Sequence, residues 1–366
     1  MRPFARILLL SGLLAVALFA FPHLTSAQGG DNPTVDNEVC LSCHTTPDMY
    51  KELPSGDVLY LTIDENRYLD TEHGQIGYQC VQCHTDITGF PHPELQVETS
   101  RDYSLEMYQL CGTCHEQMYD QTLDSTHQKA LAGGNKNAAV CTDCHDPHYM
   151  TTPGEPRSNV ATMCQECHSE IYNEYAESVH GGALLNEGDP NVPTCIDCHG
   201  VHNVSGPSNV SNFHLFSPLL CAECHADEDL MDQYGISTDV FDTYISDFHG
   251  TTVLMFEKTT PDQETNKPVC VDCHGVHNMK QVDDPESQVM KENLLTTCQK
   301  CHPDATSNFP DSWLNHYPPS PEKYPLVYYV NMFYKIIIPV TIGGMLVFIA
   351  SDIRKKFSSK SEDRND

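Results

Sequence analysis

Not one of the 18 cysteines in this sequence stands alone. Each belongs to a Cys-x-x-Cys-His unit, and a disulfide scaffold would not repeat one spacing nine times. Structural zinc is excluded as well: it joins Cys-x-x-Cys pairs two by two and has no use for a histidine after every second cysteine. Basic residues are scarce, 20 against 51 acidic, and the net charge of −31 disfavours nucleic acid as a partner. That charge is read first as a source of solubility. Hydrophobic residues make up only 39%, against 24 prolines and 21 glycines, so an ordinary apolar core is not expected. Long apolar runs are missing too, except for one at each end.

Those two runs locate the chain. Residues 1–27 have Arg2 and Arg6, an apolar stretch and a small-residue ending at Thr25-Ser26-Ala27, which reads as a signal peptide cut before Gln28. Residues 326–350, "LVYYVNMFYKIIIPVTIGGMLVFIA", carry one charge, Lys335, and are long enough for a transmembrane helix. Tyr324, Tyr328, Tyr329 and Tyr334 suit an interfacial belt. Arg354, Lys355 and Lys356 then place the tail, 351–366, in the cytoplasm and residues 28–325 on the periplasmic or extracytoplasmic side of the cytoplasmic membrane.

What is abundant is one motif. Motifs one to nine begin at Cys40, Cys80, Cys111, Cys141, Cys164, Cys195, Cys221, Cys270 and Cys298. Their second cysteines are Cys43, Cys83, Cys114, Cys144, Cys167, Cys198, Cys224, Cys273 and Cys301. Their histidines are His44, His84, His115, His145, His168, His199, His225, His274 and His302. Cys-x-x-Cys-His is the attachment signature of c-type haem. Two thiols add to the vinyl groups of one porphyrin, and the adjacent histidine reaches the iron. Nine covalently attached haem c groups are therefore expected. With about 31 residues per motif between residues 40 and 316, porphyrin faces must supply most of the buried apolar surface. The fold class expected is mainly α with long loops, a haem-packed array followed by one C-terminal transmembrane helix.

The array repeats. "CGTCHEQMYDQTLDSTHQKA" (111–130) parallels "CQECHSEIYNEYAESVHGGA" (164–183), each with a histidine 12 residues after the motif histidine. Ile171, Tyr175 and Val179 share a spacing of four, the mark of one short-helix face. A second motif follows and closes on "CHDPH" or "CHGVH". The plan is about four and a half dihaem modules, with boundaries near 101–110, 152–162, 205–219 and 279–296.

Outside the motifs and the leader, ten histidines are left. Nine recur in the repeat: His73, His92, His127, His148, His180, His202, His249, His277 and His316. Nine irons need nine sixth ligands, so these are the distal candidates, whereas His214 has no counterpart. The 12 methionines, the competing ligand, show no such recurrence. His202 follows its own motif histidine by three residues and cannot pass round a porphyrin to the far face. It is expected on a neighbouring iron, most simply that of motif five in its own module, and the same logic covers His148 and His277. The histidines ahead of each even motif, His73, His127, His180 and His249, serve either the even iron or an odd one; the sequence leaves both open. His92, eight residues after His84, departs from the pattern.

These residues resemble the multihaem c-type cytochromes over about residues 40–316. The "C-x-x-C-H … S-V-H-G … C-x-x-C-H-G-x-H" texture looks like the periplasmic multihaem electron carriers, and is similar to the haem-packing core of cytochromes related to nitrite reductase and hydroxylamine oxidoreductase. The resemblance implies electron transfer in a respiratory chain. With every iron bis-histidine, no substrate has a coordination site, and no catalytic residue is expected. His316 lies ten residues before Leu326, so the ninth haem is expected near the membrane, exchanging electrons with a quinol-oxidising or cytochrome b-type membrane subunit. An extracytoplasmic redox protein would be the other partner. The alternative is a reductase or dehydrogenase of a small nitrogen or sulfur compound with one open haem. No Cys-x-x-Cys-Lys variant is present to support it. A filament of stacked haems is disfavoured by the anchor.

Overall fold

The computed structural model describes residues 35–362, except 153, 207–212, 262–265, 312 and 314–315. The signal peptide expected at 1–27 and the end of the expected tail lie outside the described residues. Among the described residues the chain is mainly helical, 56% helix with two short strands, and its C-terminal helix is apolar. It divides into two compact units, meeting in sequence between Ser100 and Arg101.

The first unit holds motifs one and two. Motif one ends the helix Asn37–His44, which Asp36 caps by accepting from the Glu38 amide. A two-stranded antiparallel hairpin follows, Tyr50–Glu52 against Val58–Tyr60, with Lys51 opposite Leu59. Just beyond it the chain returns to the motif, where the Ile63 amide donates to the His44 carbonyl.

The second unit repeats one local plan. In the third module of the array, motif five ends the helix Ser158–Gln165, and His168 opens the helix Ser169–Ala176. The expected single face through Val179 is interrupted. Buried Ser178 accepts from the Gly181 amide at 3.0 Å and starts a new short helix, Val179–Gly182. A serine hydroxyl that satisfies a free amide favours a helix start over helix continuation. The stretches expected as module boundaries are therefore partly helical: Ser100–Met107, Ser158–Gln165 and Phe213–His225 each lead into an odd-numbered motif.

Buried apolar residues gather in small groups. One is Ala161, Tyr175, Leu184 and Val192; another is Leu215, Val253 and Val269. Clusters of four and three residues fit a chain whose folding relies on apolar surface beyond its own side chains.

The last helix runs from Pro325 to Glu362, longer than the 25 residues expected from hydropathy. The stretch Pro325–Lys356, with its apolar run at 326–350, is long enough to cross a membrane and almost wholly exposed, consistent with anchoring. Pro325 sits in the first turn, where its missing N–H costs nothing. Asp352 and Lys356 pair at 3.1 Å on the helix beyond the apolar stretch.

Candidate haem-binding sites

Odd and even motifs are built differently. Odd-numbered ones end longer helices, whereas motifs two, four, six and eight are single turns: Cys80–Cys83, Cys141–Cys144, Cys195–His199 and Cys270–His274. Each turn is capped from within. The third motif residue, Gln82, Asp143, Asp197 or Asp272, accepts at 2.7 Å from the amide just ahead of the first cysteine. The sequence reading missed this role, although three even motifs share an aspartate that no odd motif has.

The spare histidines ahead of each even motif share a second device. His73, His127, His180 and His249 are each the second residue of a short helix whose cap lies two positions earlier: Thr71, Ser125, Ser178 and Asp247. After His73, His180 and His249 comes a glycine. A Cβ there would fall 2.0, 1.8 and 2.1 Å from the carbonyl oxygens of Tyr68, Tyr175 and Tyr244. Those three tyrosines donate from their hydroxyls to Tyr78, Pro193 and Pro268, the carbonyls leading into the next motif. Cap, glycine and tyrosine together fix the distance from spare histidine to even motif.

Seven motif histidines face seven spare ones. His44 faces His92, His145 faces His202, His168 faces His127 and His225 faces His180, all with ring centres 6.2 Å apart. His199 faces His277 at 6.1 Å, and His302 and His274 face His249 and His316 at 6.3 Å. Two imidazoles sharing one metal, at about 2.0–2.1 Å per bond with roughly 1.1 Å from nitrogen to ring centre, stand about 6.3 Å apart. Distance alone does not decide it, because Phe213 also lies 6.2 Å from His199. The one-to-one matching of motif and spare histidines at a single spacing does. The residues therefore fit a hexacoordinate haem iron at each of these seven places. His73 packs edge-on against Tyr78 and His148 against Tyr149.

The direction of crossing differs from expectation. His202 faces motif four, in the preceding module, and motif five faces His127 instead. Likewise His277 faces motif six. Gly200 and Gly275, at φ +80° and +86°, turn the chain sharply after the motif. The segment beyond is then held by the module before it: the Thr126 amide donates to the Val204 carbonyl and the Val179 amide to the Met279 carbonyl, both at 2.8 Å. His127, His180 and His249, for which the sequence leaves both irons open, each face the odd motif of the following module. From residue 101 to 316, every module junction is crossed twice, once in each direction. His316 faces motif eight and not motif nine, so the histidine next to the apolar helix belongs with motif eight.

Ring chemistry suits ligation. The Nδ1 atoms of His44 and His199 lie 2.8 and 2.6 Å from the Leu61 and Ser205 carbonyls. A carbonyl only accepts, so Nδ1 carries the proton and Nε2 keeps its lone pair for a metal. Burial, with help from His225, holds the His180 ring down to about 4. Burial with His316 and His225 does the same for His274, again to about 4. The neutral ring is the form that binds iron.

The motif sulfurs mark where neighbouring porphyrin edges would meet. Within modules, Cys141 lies against Cys111, Cys164 against Cys195 and Cys221 against Cys270; in the first unit Cys80 lies against Cys40. Between modules, Cys144 lies beside Cys167, Cys198 beside Cys221 and Cys224, and Cys273 beside Cys298 and Cys301. In the second unit these contacts link motifs three to nine in sequence order.

Residues 66–146 match the family described as "Cytochrome c7 and related cytochrome c", and residues 129–172 match the doubled CXXCH motif. The chain is a multihaem c-type cytochrome. No curated protein matches it. In this cytochrome the motif cysteines bind haem c, and electron transfer is the activity that its c7-like region suggests.

Proposed function

We propose that this cytochrome is a membrane-anchored electron carrier with nine covalent haems, eighteen cysteine sulfurs holding them and nine motif histidines supplying one ligand each. Haem iron supplies one-electron chemistry, and the protein sets ligand, spacing and access. His92, His127, His180, His202, His249, His277 and His316 supply sixth ligands to the irons they face, and His73 and His148 complete the set for the irons at His84 and His115. The one-to-one histidine pairing carries this reading, because it leaves no substrate position at seven irons.

Electrons pass between a quinol-oxidising or cytochrome b-type membrane subunit and an extracytoplasmic redox protein. The apolar helix anchors the haem region on the outer side of the cytoplasmic membrane, with the basic tail inside. Because His316 precedes the span by ten residues and faces His274, the haem of motif eight is the one tethered to the membrane end.

Purified full-length protein should show nine haems per chain by pyridine haemochrome and intact mass. Reduced protein should bind no carbon monoxide. In native membranes, added quinol should reduce the haems, and a quinol-site inhibitor should block that reduction. Fewer haems, a carbon monoxide adduct or inhibitor-insensitive reduction would each count against it, the second in favour of a reductase.

A further inference from the structure

His214 was the histidine without a counterpart, and its counterpart is an arginine. Each aspartate that caps an even motif also receives a basic side chain. Arg101 donates to Asp143 at 2.8 Å, Arg157 to Asp197 at 2.7 Å, and His214 Nε2 to Asp272 Oδ2 at 2.8 Å. Arg157 and His214 both stand seven residues ahead of the first cysteine of the following odd motif. Their settings also agree: side-chain exposures are 34% and 38% for the Arg157–Asp197 pair and 36% and 38% for His214–Asp272. In both, a further ring or guanidinium nitrogen, Arg157 Nε or His214 Nδ1, is buried with no hydrogen-bond partner among the described residues. Motif two has neutral Gln82 in place of the aspartate.

The substitution matters because the aspartate lies between the two cysteines that would hold the haem. A carboxylate there favours ferric over ferrous iron, and a cation beside it cancels the effect. Arginine stays charged at every working pH, whereas histidine is the side chain that changes charge between about pH 5 and 8. We propose that His214 is a tuning residue that couples proton uptake to reduction of the haem on motif eight. The inference rests on the haem reading given above.

The balance is one electron and one proton. The ring donates from Nε2 to Asp272 in either state, so the arriving proton is added at Nδ1. The electron arrives from the donor at the membrane end and leaves to an adjacent haem of the chain. Reduction of the iron favours the protonated ring, and reoxidation releases the proton. The helices packed on Phe213–His225 carry Glu228 and Asp229, Asp239 and Asp242, Glu257 and Lys258, and Asp272, besides the ligand histidines; Glu223 lies on its own helix. Among the described residues, Asp272 is the charged group at bonding distance from the His214 ring. Since motif eight is tethered to the membrane end, a donor that releases electrons and protons together, as a quinol does, would meet the proton-linked haem first.

The test is a spectroscopic redox titration of full-length protein from pH 5.5 to 9, comparing wild type with His214→Arg and Arg157→His. Propionates titrate alike in all three, so the differences carry the answer. In wild type, one haem equivalent should change its reduced-to-oxidised ratio by up to tenfold per pH unit, 59 mV for a one-electron couple. His214→Arg should remove that component, and Arg157→His should add a second. Should His214→Arg fail to fold, the gain in Arg157→His decides by itself. Superimposable pH profiles in wild type and Arg157→His would overturn the proposal. A wild type lacking covalent haem would instead overturn the haem reading beneath it.

Discussion

Residues 35–100 and residues 101–316 use the same motif but close it differently. In the first unit, motif one faces His92 of the same unit. In the second, all six paired histidines cross a module junction. His92, whose spacing from its motif is unusual, faces motif one of its own module. Histidines that face each other in both directions tie modules two to five together, while motif one faces a histidine of its own unit. The lesson is that a sequence module here is not a folding unit.

The largest effects should break that contrast. His180→Ala removes the partner of His225, so one iron should become high-spin and the melting of residues 101–316 should fall. His92→Ala should also give one high-spin iron, yet leave that melting unchanged. Paramagnetic resonance together with thermal unfolding of the full chain reads both. Next comes Gly181→Ala, whose Cβ would fall 1.8 Å from the Tyr175 oxygen. The helix start must shift, at a cost of roughly 1–3 kcal/mol. Gly74→Ala should cost a similar amount in the first unit, since this device is common to both regions. Tyr175→Phe deletes a single 2.7 Å hydrogen bond to Pro193 and should cost about 1 kcal/mol, seen as a lower midpoint in denaturant. Lys51→Ala should be nearly silent, at about 0–1 kcal/mol, because its partner Glu94 is 84% exposed.

How much of this was legible depended on range. The attachment residues are a local covalent code, so Cys195, Cys198 and His199 could be read from five positions. The recurrence of His127 and His180 twelve residues after a motif histidine was equally visible. The partner of His202 was not. Spacing says which iron a histidine three residues away cannot reach, but the choice among the others is made by a positive φ at Gly200 and a backbone bond from Thr126 to Val204, 78 residues apart in sequence. Matching histidine with histidine also hid His214, whose equivalent is Arg157; the signal was the aspartate shared by motifs four, six and eight. His316 follows motif nine in sequence but reaches back to His274 of motif eight, so order along the chain does not reveal its partner.

The central claim is that paired histidines close the irons of this cytochrome to substrate. Electron paramagnetic resonance of the fully oxidised, full-length protein, with spin quantitation against total iron, tests it most directly. Low-spin ferric signals should account for all the iron. A high-spin ferric signal equal to one or more irons per chain would contradict the claim.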